Sequence, residues 1–279
     1  DLPQLENPIS GYIFNTNNSP FNCTEKLYNL KEENFPKSLG YREKFNNRSL
    51  RFEKLIDSYE EINYEDFLTI KYDQEYANPI FCPFKINKIF EVSVNDSNEV
   101  IDILSIIQSW NRKANVDNIG AAQFSIFYKN LRKKLKKIKF DFDSEIPDSL
   151  LVESLQKTKS QILGSFDNLN ISLGEYQKHV RAEIEIPIGG LVDMIAESSS
   201  SKYKDGMVKV VKGDSYIMLV KFGDELPEIE TVLPYGISND PKSIHFTDQM
   251  NLYATQKRKK MTLDKLEIYK NASNIYHPK

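Results

Sequence analysis

The stretch Asn7-Pro8-Ile9-Ser10-Gly11-Tyr12-Ile13-Phe14-Asn15-Thr16-Asn17-Asn18-Ser19-Pro20 changes character halfway along. Gly11 to Phe14 is rich in β-forming residues and predicts a strand. Asn15 to Pro20 is a polar cluster closed by proline and predicts a turn. Asparagine side chains close such turns by hydrogen-bonding nearby backbone, so Asn15, Asn17 and Asn18 read first as turn-forming amides.

Working outward, residues 25–47 have no clean periodicity and contain Pro36 and Gly40. They predict a long ordered loop with short helical pieces, a kind of segment that often carries function. From Arg48 the period changes. Phe52, Leu55, Ile56 and Tyr59 recur at the spacing of an amphipathic helix. Arg48 and Arg51 fall in its first turn, where the helix dipole disfavours cations, so something other than helix stability holds them. Asn63 is placed to cap a second helix reaching about Tyr72, with Phe67 and Ile70 inward. Further helices are predicted from Ser97 or Asn98 through Trp110, from Asp117 or Asn118 through Leu135, and from Ser149 to about Leu163 with Gly164 at its end.

Beyond Gly174 the pattern turns to β. Val180 to Ile186 alternates as one half-buried strand. Gly189-Gly190 marks a turn, and Ser198 to Ser201 reads as a polar loop. Met207–Val211 and Tyr216–Val220 read as a hairpin around Lys212–Ser215. The tail favours helix from Thr247 to about Ala254 and from Leu263 to Asn271. Strands, then helices, then strands predict an α+β fold. The organisation expected is a strand and loop over 1–47, a helical block over 48–165, and strands with terminal helices over 174–279. No linker divides the chain into independent domains.

Composition narrows the function. The 279 residues carry 37 Lys and Arg against 40 Asp and Glu, a net charge of −3, with 40% hydrophobic residues. That balance argues against a dedicated nucleic-acid binder. No run approaches ~18 apolar residues, so a transmembrane helix is not expected. Cys23 and Cys82 are too few for a disulfide framework or a four-thiolate zinc site and read as buried thiols. The basic run Arg132 to Lys139 keeps the apolar stripe of the preceding helix and reads as its solvated face; a membrane or nucleic-acid patch is the sharper alternative. His179, His245 and His277 are widely separated, and no carboxylate or cysteine spacing around them suggests a metal site. P-loop, dinucleotide-binding, zinc-protease and nucleophile-elbow motifs are absent.

Three stretches in register carry a resemblance. Asn7 to Pro20 is similar to the segment around the oxyanion-hole asparagine of the penicillin acylase family of N-terminal-nucleophile amide hydrolases. Gly174-Glu175-Tyr176-Gln177-Lys178-His179-Val180-Arg181, with Ile186-Pro187-Ile188-Gly189-Gly190, resembles a second family segment. Ser238-Asn239-Asp240-Pro241-Lys242-Ser243-Ile244-His245-Phe246-Thr247-Asp248-Gln249 resembles the signature near the family's C-terminus, with Ile244 in place of the usual proline. Asn118 to Ala122 resembles a family helix start. The resemblance spans nearly the whole chain and is nearest to the aculeacin and acyl-homoserine-lactone acylase branch.

It implies the later part of an αββα fold. It also implies that Asn17 donates to the oxyanion formed during amide hydrolysis, a task suited to a preorganised neutral N–H. Arg48 matches an arginine that the family places near the nucleophile; His245 and Asp248 match family positions too and read as packing and hydrogen-bonding residues. The family attacks with an N-terminal Ser, Cys or Thr whose own amine is the base. Asp1 cannot do this, so the chain is expected to be the C-terminal part of a large subunit. The nucleophile would lie upstream, and this piece alone would hydrolyse nothing. Its expected partners are the small subunit and the N-terminal part of the large subunit, with an N-acyl small molecule as substrate, in the periplasm or secreted. No cofactor is expected. Some relatives hold a structural calcium, but the position where an acidic ligand would fall is Tyr28. Two alternatives remain: a noncatalytic binding or scaffold domain that keeps the fold, and surface attachment through the basic helix.

Overall fold

The computed structural model describes residues 2–42, 44–95 and 99–277. The chain divides into two compact units: residues 1–178 with 187–213, and residues 179–186 with 214–279.

In the first unit, the described residues before α1 contain no strand. They hold three single-turn 3₁₀ helices, at Lys26–Tyr28, Glu32–Asn34 and Lys37–Leu39. The strand expected at Gly11–Phe14 is therefore corrected. Strands need a neighbour's backbone, and here the Phe14 N–H reaches only the Cys23 carbonyl while the Thr24 hydroxyl binds the Tyr12 carbonyl. Phe14 instead stacks on Phe52 at 4.2 Å between ring centroids.

Helix α1 (Asn47–Ile56) follows, capped reciprocally by Asn46 and Ser49. Helix α2 (Tyr64–Lys71) begins at the predicted Asn63 cap, which pairs reciprocally with Asp66. Ile70 is buried there but Phe67 is exposed, so the inward face is narrower than expected. Helix α3 (Ile101–Gln108) has its expected start at Ser97 or Asn98 outside the described residues; Leu104, Ile107 and the following Trp110 are buried.

Helix α4 (Ala121–Lys137) starts later than Asp117 or Asn118, with Gly120 as its cap. Two contacts set that start. Asn118 spends its side chain on Asn111 and its carbonyl on the Leu173 N–H. Gly120 adopts φ +100°, and a Cβ there would lie 2.6 Å from Trp110 Cβ, so only glycine fits. Helix α5 (Asp148–Phe166) runs through Gly164 and ends at Asp167 in the left-handed conformation. Phe127, Leu131 and Leu135 of α4 and Leu151, Leu155 and Ile162 of α5 belong to one buried cluster. Burial of each such side chain contributes about 1.5–3 kcal/mol.

A short helix, α6 (Leu173–Tyr176), leads into β1 (Gln177–Arg181), which meets β2 (Ile184–Pro187) as a hairpin. The single strand expected over Val180–Ile186 is broken by Ala182 at φ 50°. Strand β3 (Ser198–Lys202) replaces the expected polar loop, because it pairs antiparallel with β4 (Val208–Gly213), with a register shift at Ser199/Ser200. Residues Gln177 and Lys178 of β1 pair in parallel with Val208 and Lys209, so β4 lies between β1 and β3.

Besides residues 179–186 of the β1–β2 hairpin, the second unit contains β5 (Ile217–Lys221), β6 (Glu228–Val232), α7 (Met250–Ala254), β7 (Lys259–Met261) and α8 (Lys265–Asn271). Its sheet is antiparallel in the order β5-β6-β7. The hairpin expected between β4 and β5 does not form: the two strands belong to different sheets. The fold is α+β, and among the described residues the first strand, β1, comes only after α6. No helix is long and apolar enough to cross a membrane among those residues.

Candidate functional site

The predicted turn is built almost wholly from asparagines. Asn15 Oδ1 accepts the Asn17 N–H at 2.8 Å, and Asn18 Oδ1 accepts the Thr16 N–H at 2.6 Å and its hydroxyl at 2.9 Å. Asn18 Nδ2 donates to the Asn22 carbonyl. Asn17 sits at φ 61°, a conformation asparagine tolerates better than most residues. Asn46 ties this turn to α1: its Oδ1 caps the Ser49 N–H at 2.8 Å and its Nδ2 donates to the Thr16 carbonyl at 2.9 Å.

Arg48, in the first turn of α1, reaches the turn from below. Its Nη1 donates to Asn17 Oδ1 at 2.9 Å and its Nε to Asp193 Oδ1 at 3.2 Å, with Glu197 Oε2 3.6 Å from Nη1. Asp193 Oδ2 also accepts the backbone N–H and side-chain amide of Asn47, each at 3.0 Å. A carboxylate at a helix N-terminus is favoured by the dipole, and it offsets the arginine in the same turn. Arg51 is held separately by Asp73 at 2.8 Å and Glu75 at 2.9 Å. Arg48, in the first turn of α1, and Arg51, in the second, both have carboxylate partners; the helix starts at Asn47, so only Arg48 falls where the dipole disfavours a cation.

One chemical consequence follows. A guanidinium only donates, so the Asn17 atom facing Arg48 is the carbonyl oxygen. That assigns the amide orientation and leaves Nδ2 without a partner among the described residues. Asn17 and Arg48 line a cavity of about 590 Å³, open to solvent, whose other walls include Tyr76, Phe81, Cys82 and Phe124. A neutral N–H held at such a rim can receive negative charge developing on a bound carbonyl.

Among the described residues the cavity holds no hydroxyl or thiol paired with a histidine base. No histidine lines it among the described residues. The Cys82 thiol is pushed above its ordinary value by burial, despite its hydrogen bond with Tyr128 and the Arg132 charge. Burial likewise raises Tyr128 to about 12. A thiol held protonated is a poor attacker. The Ser198, Ser199 and Ser200 hydroxyls donate to the Gly189 carbonyl, Glu197 and Gln177. Both cysteines are free.

His179 and His245 lie in the second unit. His179 Nε2 meets the Pro234 carbonyl, and its ring stacks on Tyr235 at 4.6 Å. His245 Nδ1 lies 2.8 Å from Asp248 Oδ2, a local exposed pair. Tyr28 lies in a 3₁₀ turn, and among the described residues no group of three or more His, Cys, Asp or Glu is placed to hold a metal. Sequence reasoning missed Asp193, Glu197 and the Asn46 clamp. Asp193 follows the Gly189-Gly190 turn, but 145 residues separate it from Arg48, and a lone sequence carries no pairing signal over that span.

The sequence model of the penicillin amidase family matches residues 1–270. An acyl-homoserine lactone acylase PvdQ of Pseudomonas fluorescens (strain Pf0-1) is 21% identical over 170 residues, covering 54% of this chain and 22% of that protein. The PvdQ of P. fluorescens strain ATCC BAA-477 / NRRL B-23932 / Pf-5 is 22% identical over 177 residues, covering 57% of this chain and 23% of that protein. The fold is similar to that of a thermostable penicillin G acylase from Alcaligenes faecalis, at TM-score 0.51 and 12% identity, covering 99% of this chain and 59% of that one. The matches thus span under a quarter of the curated relatives' length.

Proposed function

The chain belongs to the penicillin amidase family, and from that premise we propose that it supplies the oxyanion-binding side of a site that hydrolyses N-acyl bonds in small molecules. The observation that carries this reading is the 2.9 Å bond from Arg48 Nη1 to Asn17 Oδ1. It turns the amide NH₂ of Asn17 into a fixed, uncommitted donor beside a cavity. Attack on an amide carbonyl puts negative charge on its oxygen, and Asn17 Nδ2 would hold that charge until the C–N bond breaks. Arg48 acts as a positioning residue.

The attacking residue belongs, in this reading, to polypeptide outside these 279 residues. Two facts support it: the cavity offers neither a histidine base nor an ionised thiol, and the chain covers only 59% of the matched solved chain. The rest of the same acylase is then the partner, the 279 residues alone are inactive, and export to the periplasm or beyond belongs to the same proposal. A cavity with neither a histidine base nor an ionised thiol among the described residues equally suits a scaffold that kept the fold and lost the chemistry.

Expression of the full-length protein separates the two. The enzyme reading predicts self-cleavage that exposes an N-terminal Ser, Thr or Cys, followed by hydrolysis of at least one member of an N-acyl anilide series. An uncleaved protein inert towards the whole series would establish the scaffold.

A further inference from the structure

Four cations line the cavity beside Asn17: Lys44, Arg48, Lys129 and Arg132. Only Arg48 has a carboxylate partner among the described residues. The one carboxylate in the lining, Asp193, is already shared between Arg48 and Asn47. Lys129 and Arg132 stand three positions apart on α4, so both project from one helix face. Arg132 acts electrostatically on Cys82 and Tyr128 of the cavity wall. Lys129 contacts only neutral groups: its Nζ is 3.4 Å from Tyr176 Oη and 5.6 Å from the centre of that ring. Although the residue is exposed overall, desolvation holds its ammonium below the ordinary lysine pKa, a penalty that an arriving anion would relieve. Further along the same basic run, Lys134 is paired with Glu153. Of the cations on α4, Lys129 and Arg132 are the two that line the cavity.

We propose that Lys129 and Arg132 bind a carboxylate of the substrate, so that the site prefers anionic N-acyl compounds to neutral ones of the same size. The inference rests on the reading of this cavity as the substrate site. A guanidinium offers a carboxylate two parallel N–H bonds, and an ammonium adds a point charge beside it. Phe81, Phe124 and Tyr76 supply the apolar surface for the uncharged remainder of the ligand.

The test uses the full-length protein and ligands that cannot be hydrolysed. Calorimetry compares N-hexylaniline with 5-anilinopentanoate, which places the carboxylate on the acyl side. It then compares N-hexylaniline with 4-(hexylamino)benzoate, which places it on the amine side. One of the two anionic ligands is expected to bind about tenfold more tightly than the neutral one, and the preference should shrink as salt is raised. The Lys129→Gln/Arg132→Gln variant should bind all three ligands alike while keeping its affinity for N-hexylaniline. Arg132→Glu should disfavour both anions. If neither anion binds more tightly than the neutral ligand, or if the preference survives the double substitution, the proposal is wrong. Turnover of glutaryl anilide and hexanoyl anilide is read separately: a protein that keeps the anion preference but hydrolyses neither contradicts the amidase reading alone.

Discussion

The amide of Asn17 is held by one neighbour, and that makes its orientation testable. Arg48 faces the Asn17 oxygen and is itself fixed by Asp193 and Glu197. Arg48→Gln removes the fork that enforces this orientation, since a glutamine amide can donate or accept. Turnover of an N-acyl anilide by the full-length protein should fall about tenfold in kcat, with KM little changed, because a misdirected donor acts on the transition state more than on binding. Initial-rate kinetics check this, and a rise confined to KM would assign Arg48 to substrate binding. At this scale the sequence was partly readable. The asparagine cluster predicted a turn, and the cation in the first turn of α1 signalled a partner for Arg48. The partners stayed hidden, because Asp193 and Glu197 meet Arg48 only through the tertiary fold.

Elements were legible where one residue's chemistry decides them. Asn63 capped α2 as its sequence predicted, and the apolar stripe of α4 is buried against α5. Misreadings came where a neighbour decides. Ser198–Lys202 has the composition of a loop and becomes a strand because β4 lies beside it. Gly11–Phe14 has the composition of a strand and stays irregular with only isolated hydrogen bonds to its neighbours. The start of α4 shifted to Gly120 because Trp110 packs against it. That contact predicts a large effect from a small change. Gly120→Ala must place a Cβ 2.6 Å from Trp110 Cβ at φ +100°, and it should destabilise the protein by about 3 kcal/mol. Urea unfolding measures it. Gly164→Ala, where a Cβ meets nothing within 4 Å, should be stabilising by about 0.5–1 kcal/mol in the same helix-rich unit.

For the molecule as a whole, stability should depend on pH through the second unit. The Pro234 carbonyl can only accept, so His179 Nε2 carries the proton and the buried Nδ1 is left bare. Protonation would create a buried donor with nowhere to donate, on a ring stacked against the same tyrosine as Arg181. Burial accordingly holds His179 below its ordinary value of 6.5. With the folded pKa lowered, the unfolded chain binds the extra proton first, so stability is full above 6.5 and is lost as pH falls below it. Melting temperatures between pH 7.5 and pH 5 should drop in the native protein and drop less in His179→Gln (pH range chosen about one to two units around the ordinary imidazole value). In the proposed function, catalysis depends on the amide of Asn17 at the edge of the cavity. The most direct measurement is kcat for a hydrolysable N-acyl anilide in the full-length protein and its Asn17→Ala variant. A loss of about 10²–10³-fold, with folding and self-cleavage intact, is the predicted result. An unchanged kcat would mean that the oxyanion is held elsewhere.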